Sequence, residues 1–159
     1  MARRAGAVVV LDPAPARPVS AELLSLCDYV TPNETELCSL AGEAPAASLT
    51  RADARRLVGM VRARTARVLV KLGAAGALLI GPEGEQSWDA PEVEAVDTTA
   101  AGDCFNAAFA VAVSEGRPVV DAGRFAAMAA SLSVTRPGAQ PAMPTRAEVA
   151  AFAASRGLA

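Results

Sequence analysis

Histidine is absent from this 159-residue chain, lysine occurs once, at Lys71, and aromatic side chains make up only 4% of the residues. The missing imidazole excludes Ser-His-Asp triads, Cys-His nucleophile pairs and most zinc sites. Catalysis, if there is any, falls to carboxylates, hydroxyls and backbone amides. The shortage of aromatics leaves Ala, Val and Leu to build the interior of a chain that is 52% hydrophobic, which favours closely packed helices over a sheet. Positive charge is neither abundant nor clustered: 15 basic residues stand against 17 acidic ones, for a net charge of −2. That balance argues against a nucleic-acid surface, where backbone phosphates are met by concentrated Lys and Arg. No apolar run approaches the ~20 residues of a membrane-spanning helix. The three cysteines, Cys27, Cys38 and Cys104, are an odd number without metal spacing. In apolar surroundings they read as small buried hydrophobes of a protein in a reducing cytoplasm.

The length fits one domain spanning residues 1–159, able to bury roughly 68–70% of the surface its unfolded form exposes. Residues Met1 to Ala16 sketch a secretory signal, with two arginines, a short apolar run and an Ala14-Pro15-Ala16 step. The run is of minimum length and a proline interrupts the cleavage site, so a buried strand over Ala7 to Leu11 is the better account. Short β-branched runs then alternate with helical patterns, which points to an α/β layered fold with a largely parallel sheet flanked by helices. Further strands are expected at Tyr29 to Thr31 and Val68 to Leu72. A hairpin is expected from Gly76 to Ile80 and Glu85 to Trp88 around Gly81-Pro82-Glu83-Gly84. Helices are expected from Ser20 to about Leu26, Glu34 to Leu40 with Gly42 as its stop, Ala52 to Arg64, Gly102 to Glu115 with Gly116 as its stop, Val119 to Ser133, and Ala147 to Ala154. A uniformly apolar strand, Val8 to Leu11, almost at the first residue implies sheet neighbours and helices on its N-terminal side, as in part of a larger fold.

The most informative stretch is Val96 to Ala108, VDTTAAGDCFNAA. Small residues at Ala100, Ala101 and Gly102 let a ligand approach the backbone, and the first turn of the helix that follows has N–H groups with no intrahelical partner. A phosphate could sit there. Asp103 would be placed to take the proton of a hydroxyl attacking that phosphate. The plainer reading is a capped surface helix, with Asp97 and the threonines closing a turn and Asp103 favoured by the helix dipole. Asn33 and Glu36 have the spacing of a capping box, and Gly73 and Gly76 that of a tight turn after a strand.

The order of these residues resembles the ribokinase-like (PfkB) carbohydrate kinases, whose signature reads D-T-x-[AG]-A-G-D before an apolar helix. Four more segments are similar to pieces of that pattern: Leu11-Asp12-Pro13-Ala14-Pro15-Ala16, Thr31-Pro32-Asn33-Glu34-Thr35-Glu36, Lys71-Leu72-Gly73-Ala74-Ala75-Gly76, and Thr135-Arg136-Pro137-Gly138-Ala139-Gln140-Pro141. The resemblance implies an enzyme that moves the γ-phosphoryl group of ATP to a primary hydroxyl of a pentose, D-ribose first among the acceptors. Fructose and nucleosides are the alternatives within the family. Asp103 would be the base, with Ala101, Gly102 and Asp103 offering N–H groups to the moving phosphoryl. Asn33 and Glu36 would order Mg2+ and its waters. The loop Lys71 to Gly76, through Lys71, Gly73 and Gly76, would lie against the nucleotide, and Ala127 would touch the purine. Asp97, Thr99, Ser133, Arg136, Gly138 and Ala142 match positions around a monovalent cation, K+, largely through carbonyl oxygens. The family's G-G-x-x-x-N segment, its acidic sugar contact and its β-lid have no counterpart here, so the resemblance covers the C-terminal portion only. A nucleotide-binding remnant without transfer activity is the rival expectation. A dinucleotide-binding fold is set aside, because Asp12-Pro13-Ala14-Pro15 stands where G-x-G-x-x-G would be needed. Without the lid through which relatives dimerise, a monomer or nonspecific association through an open sheet edge is expected.

Overall fold

The computed structural model describes residues 5–61 and 67–157, and the chain divides into two compact units, Met1–Ser87 and Trp88–Ala159. The first unit is a five-stranded sheet in sequential order with helices between its leading strands. Strand β1 (Val10–Leu11) pairs in parallel with β2 (Tyr29–Val30), joining Val10 to Tyr29 and Leu11 to Val30. Strand β2 in turn pairs in parallel with β3 (Val68–Lys71) at Val30 and Val68. Helix α1 (Ala21–Ser25) connects the first pair, and helices α2 (Glu34–Ala41) and α3 (Arg51–Val61) lie between β2 and β3 in the chain. The expected end of α3, residues 62–64, lies outside the described residues.

The expected largely parallel sheet holds from β1 to β3 and then reverses. Strand β4 (Ala77–Gly81) runs antiparallel to β3, with Val68 opposite Ile80 and Lys71 opposite Ala77, and β5 (Gly84–Trp88) follows it at the edge. The sheet is therefore mixed, and the reason lies in the connections. A parallel crossover needs a dozen or more residues, whereas β3 and β4 are joined by a short Leu72 to Gly76 turn and β4 and β5 by residues 82 and 83. Strand β1 also departs from expectation. It is two residues long and half-buried, with Val8 51% exposed, because it stands at the edge of the sheet with β2 as its single paired neighbour.

Buried Leu24, Val30, Leu37, Leu57, Val58, Val61, Val68, Val70 and Leu78 form the core of the first unit. Strands β3 and β4 are buried along nearly their whole length, as suits continuous Val and Leu runs covered on both faces. In the second unit, helices α4 (Ala101–Ser114), α5 (Val119–Ser133) and α6 (Arg146–Ser155) pack through Cys104, Met128, Ala129, Val149 and Ala153. Scarce aromatics make the few present decisive. The Trp88 ring lies on Gly123 of α5, where a Cβ would come within 2.3 Å of it, and its indole N–H donates to the Val120 carbonyl at 2.8 Å. All three cysteines are buried thiols outside any disulfide. Among the described residues no helix is long and apolar enough to cross a membrane.

Candidate functional site

In the first unit the polar residues gather where β1, β2 and β3 end, the carboxyl edge at which open α/β sheets receive ligands. Each strand delivers a group: Asp12 follows β1, Asn33 follows β2, and Lys71 closes β3. A parallel bridge sets Asn33 beside Lys71. The Lys71 ammonium contacts both Asp12 carboxylate oxygens, at 3.1 and 3.2 Å.

Asn33 starts α2 because its extended backbone lets the side chain turn onto the helix. Its Oδ1 accepts the Glu36 N–H at 2.9 Å, and Glu36 Oε2 accepts the Asn33 N–H at 2.8 Å. The capping box is thus present, and Glu36 is 6% exposed. That engagement makes Glu36 a poor direct metal ligand, and among the described residues no three His, Cys, Asp or Glu side chains converge on a metal position. Magnesium met here through its own waters remains compatible with this donor set, since that ion keeps several waters. Glu34, one residue after the cap, is half-buried. Burial pushes its carboxyl above the usual range, neighbouring Glu36 adds to the rise, and its own backbone and Lys71 oppose it.

The Lys71 to Gly76 segment is the turn between β3 and β4. Gly73 (φ +51) and Gly76 (φ +87) take up positive φ values that side chains rarely adopt. A Cβ at Gly73 would lie 3.8 Å from Glu34 Oε1, so the turn passes beside the start of α2.

The second unit holds the signature. Helix α4 begins at Ala101 with Ala100 as its N-cap, and Ala100 lies in the left-handed region at φ 59. No side chain caps this end. The Ala101 N–H reaches the Thr98 carbonyl at 3.2 Å, so of the three expected donors it is already engaged, while those of Gly102 and Asp103 have no partner among the described residues. Asp103 is exposed on the first turn.

Beneath that turn Asp97 ties two segments together. One oxygen accepts the Thr99 N–H at 2.9 Å and the other the Gly138 N–H at 2.8 Å. The Thr99 side chain, then the Gly138 and Thr99 backbone groups, hold its carboxyl down at about 2. The Val96 and Asp97 N–H groups both donate to the Val134 carbonyl. Asp97, Thr99 and Gly138 are therefore brought together. Ser133 sends its hydroxyl back to the Ala130 carbonyl, and Arg136 pairs with Glu148 at 2.7 Å, so neither side chain is turned toward an ion. Ala142 is buried in a short 3-10 turn, and Ala127 on α5 is 5% exposed, leaving little of its methyl for a purine.

Sequence reasoning gave Asp12 and Glu34 no role of their own, and read Ala100 only as a small residue that leaves a ligand room to approach the backbone. A signal existed for Asp12, an acid directly after a strand in a chain with one lysine. None existed for the left-handed Ala100, since alanine does not mark that conformation.

The pattern of the pfkB family carbohydrate kinases matches residues 1–146. The ribokinase of Haemophilus influenzae is 41% identical over 152 residues, covering 96% of this chain and 49% of the relative. That of Bacillus subtilis is 44% identical over 141 residues, covering 89% and 44%. Among solved structures, Arabidopsis thaliana ribokinase complexed with ribose and ATP superposes with a TM-score of 0.86 at 40% identity, covering 94% of this chain and 48% of that one. The chain spans about half the length of these relatives.

Proposed function

The chain belongs to the pfkB family of carbohydrate kinases, and from that premise we propose that it carries the nucleotide and catalytic portion of a sugar kinase, with D-ribose as acceptor and ATP as donor. The observation that carries this reading is the uncapped start of α4, where the Gly102 and Asp103 N–H groups are open and the Asp103 carboxylate is exposed beside them.

In the proposed reaction an acceptor hydroxyl oxygen bonds to the γ-phosphorus while the bond from that phosphorus to the bridging oxygen breaks and ADP leaves. The hydroxyl proton passes to Asp103. The Gly102 and Asp103 amides meet the negative charge on the moving phosphoryl, and such fixed donors need no rearrangement as charge develops. Bound magnesium would neutralise charge on the triphosphate, with Asn33 and Glu36 meeting its waters. Asp97 stays ionised at neutral pH and fixes the segment before α4 to the loop after α5, which holds the open amides in place. A monovalent cation would add to that bracing through carbonyl oxygens around Thr99, Arg136 and Gly138.

The test is Asp103→Asn in the full-length protein, read by ribose-dependent ADP release. Turnover is expected to fall at least a hundredfold, the scale of a lost general base, with nucleotide affinity retained. Near-normal turnover would remove Asp103 from this role. The half-length coverage of the relatives favours a second reading, a nucleotide-binding portion that does not transfer on its own. Calorimetry with ATP and magnesium that shows binding without ribose-dependent ADP release would select it.

A further inference from the structure

Helix α6 starts with a reciprocal cap whose carboxylate has a second partner. Glu148 Oε2 accepts the Thr145 N–H at 2.7 Å and the Thr145 hydroxyl at 2.8 Å, while Thr145 Oγ1 accepts the Glu148 N–H at 3.3 Å. Those bonds satisfy the helix end. The other oxygen, Oε1, takes no part in the cap and accepts from the Arg136 guanidinium at 2.7 Å. Arg136 opens the stretch 136–139, which belongs to no helix or strand, and Gly138 of that stretch donates its N–H to Asp97 at 2.8 Å. Asp97 in turn accepts the Thr99 N–H just before α4. Glu148 is itself firmly seated: the next residue, Val149, is 2% exposed and shares a buried cluster with Cys104, the residue after Asp103. The links thus close a circuit from the start of α4 through Asp97, Gly138, Arg136, Glu148 and Val149 back to the first turn of α4. The side chains of the Arg136 and Glu148 pair are 34% and 41% exposed, and pairs of that exposure contribute little stability. What this one sets is where the stretch carrying Gly138 lies.

We propose that Glu148 is a positioning residue for phosphoryl transfer: by holding Arg136 it fixes the stretch whose Gly138 amide orients Asp97, and so keeps the first turn of α4 in the form that leaves the Gly102 and Asp103 amides open. The inference rests on the kinase reading above. In this role Glu148 touches no reacting atom and acts through Arg136 alone. Position matters at such a site because a displacement of ~1 Å can cost on the order of a hundredfold in rate. The second ion pair of α6, Arg146 with Glu115, provides the contrast. It joins the same helix to the far end of α4, where Glu115 is the C-cap, and involves neither Arg136 nor Glu148.

Turnover of the full-length protein, read by ribose-dependent ADP release, and site-resolved carboxyl NMR of the 159-residue chain test this together. Arg136→Gln and Glu148→Gln are each expected to lower kcat about tenfold, part of the penalty for a misplaced catalytic group, with KM for ATP little changed. The double variant should be no slower than the slower single variant, because both substitutions break one link. Arg136→Lys, which keeps the charge, should recover part of the loss. In both Gln variants the Asp97 carboxyl should protonate above its parent value of about 2, as the Gly138 amide is released from it. Glu115→Gln should change neither turnover nor the Asp97 titration, although it removes an ion pair of the same helix. Losses that add in the double variant, an unmoved Asp97 carboxyl, or an equal response to Glu115→Gln would overturn the inference and leave the kinase reading intact. An inactive parent protein would overturn both.

Discussion

Helices α2 and α4 start with the same formal arrangement, an acid at the third helical position, yet the two acids end in opposite circumstances. In α2 the N-cap is Asn33, whose side chain accepts the Glu36 N–H while Glu36 reaches back to the Asn33 N–H. The helix end is satisfied and the carboxylate is buried. Helix α6 repeats this solution with Thr145 and Glu148. In α4 the N-cap is Ala100, which has no acceptor to offer and sits at φ 59. Its third residue is Asp103, one methylene shorter than Glu, and it stays exposed beside open N–H groups. The lesson is that an acid at this position becomes structural when the cap is polar and remains available for chemistry when the cap is not. The strained alanine is consistent with that use, since sparsely populated backbone conformations persist where the surrounding structure enforces them, often at functional sites.

The comparison breaks most visibly if its two acids are removed in turn. Glu36→Ala destroys a reciprocal cap in a buried position and is expected to cost about 2 kcal/mol, the upper end of the range for lost caps. Asp103→Ala is expected to change stability by no more than about 0.5 kcal/mol, as for an exposed residue without a structural partner. Urea midpoints of the two variants measure the difference, and equal losses would mean that Asp103 is a structural cap after all. A smaller effect sharpens the contrast at the other partner: Ala100→Gly should raise stability by up to about 1 kcal/mol, because glycine accepts positive φ without the Cβ penalty. A destabilised variant would show that Ala100 is not strained.

The smallest effect is an acid titration followed by site-resolved carboxyl NMR. Glu34 should protonate above the usual carboxylate range because of its burial. Asp97 and Glu148 should protonate near 2, held down chiefly by Thr99 and by Thr145. A depressed carboxyl contributes stability that is complete above its unfolded pKa of about 4. Loosening of the link from Asp97 to Gly138 is therefore expected as pH falls from about 4 to 2. Protonation of Asp97 in the ordinary range would contradict the bonding described for it.

The helix ends were legible in the sequence because they are made locally. Asn33 and Glu36 are three residues apart and form the box their spacing implies, while Gly42 and Gly116 end helices at positive φ. The hairpin of β4 and β5 follows from Pro82 and Glu83 in the same way. The site was legible in part: Asp103 stands on the first turn of α4, and Asp97, Thr99 and Gly138 do converge. What escaped notice depends on residues far apart in the chain. Lys71 finds Asp12 across 59 positions, and Trp88 reaches the Val120 carbonyl across 32. No periodicity or spacing records such pairs.

By itself the sequence determined the alternation of strands and helices, the polar caps of α2 and α6, the small-residue turn before α4 and the carboxylate that follows it. These rest on propensity and on contacts within one helical turn, which a chain carries wherever it folds. Tertiary structure alone decided that Lys71 would be held by Asp12 and that Ala100 would be forced into a left-handed start for α4. Each of those outcomes is set by which distant segments pack together, and packing selects a conformation that local preference does not supply.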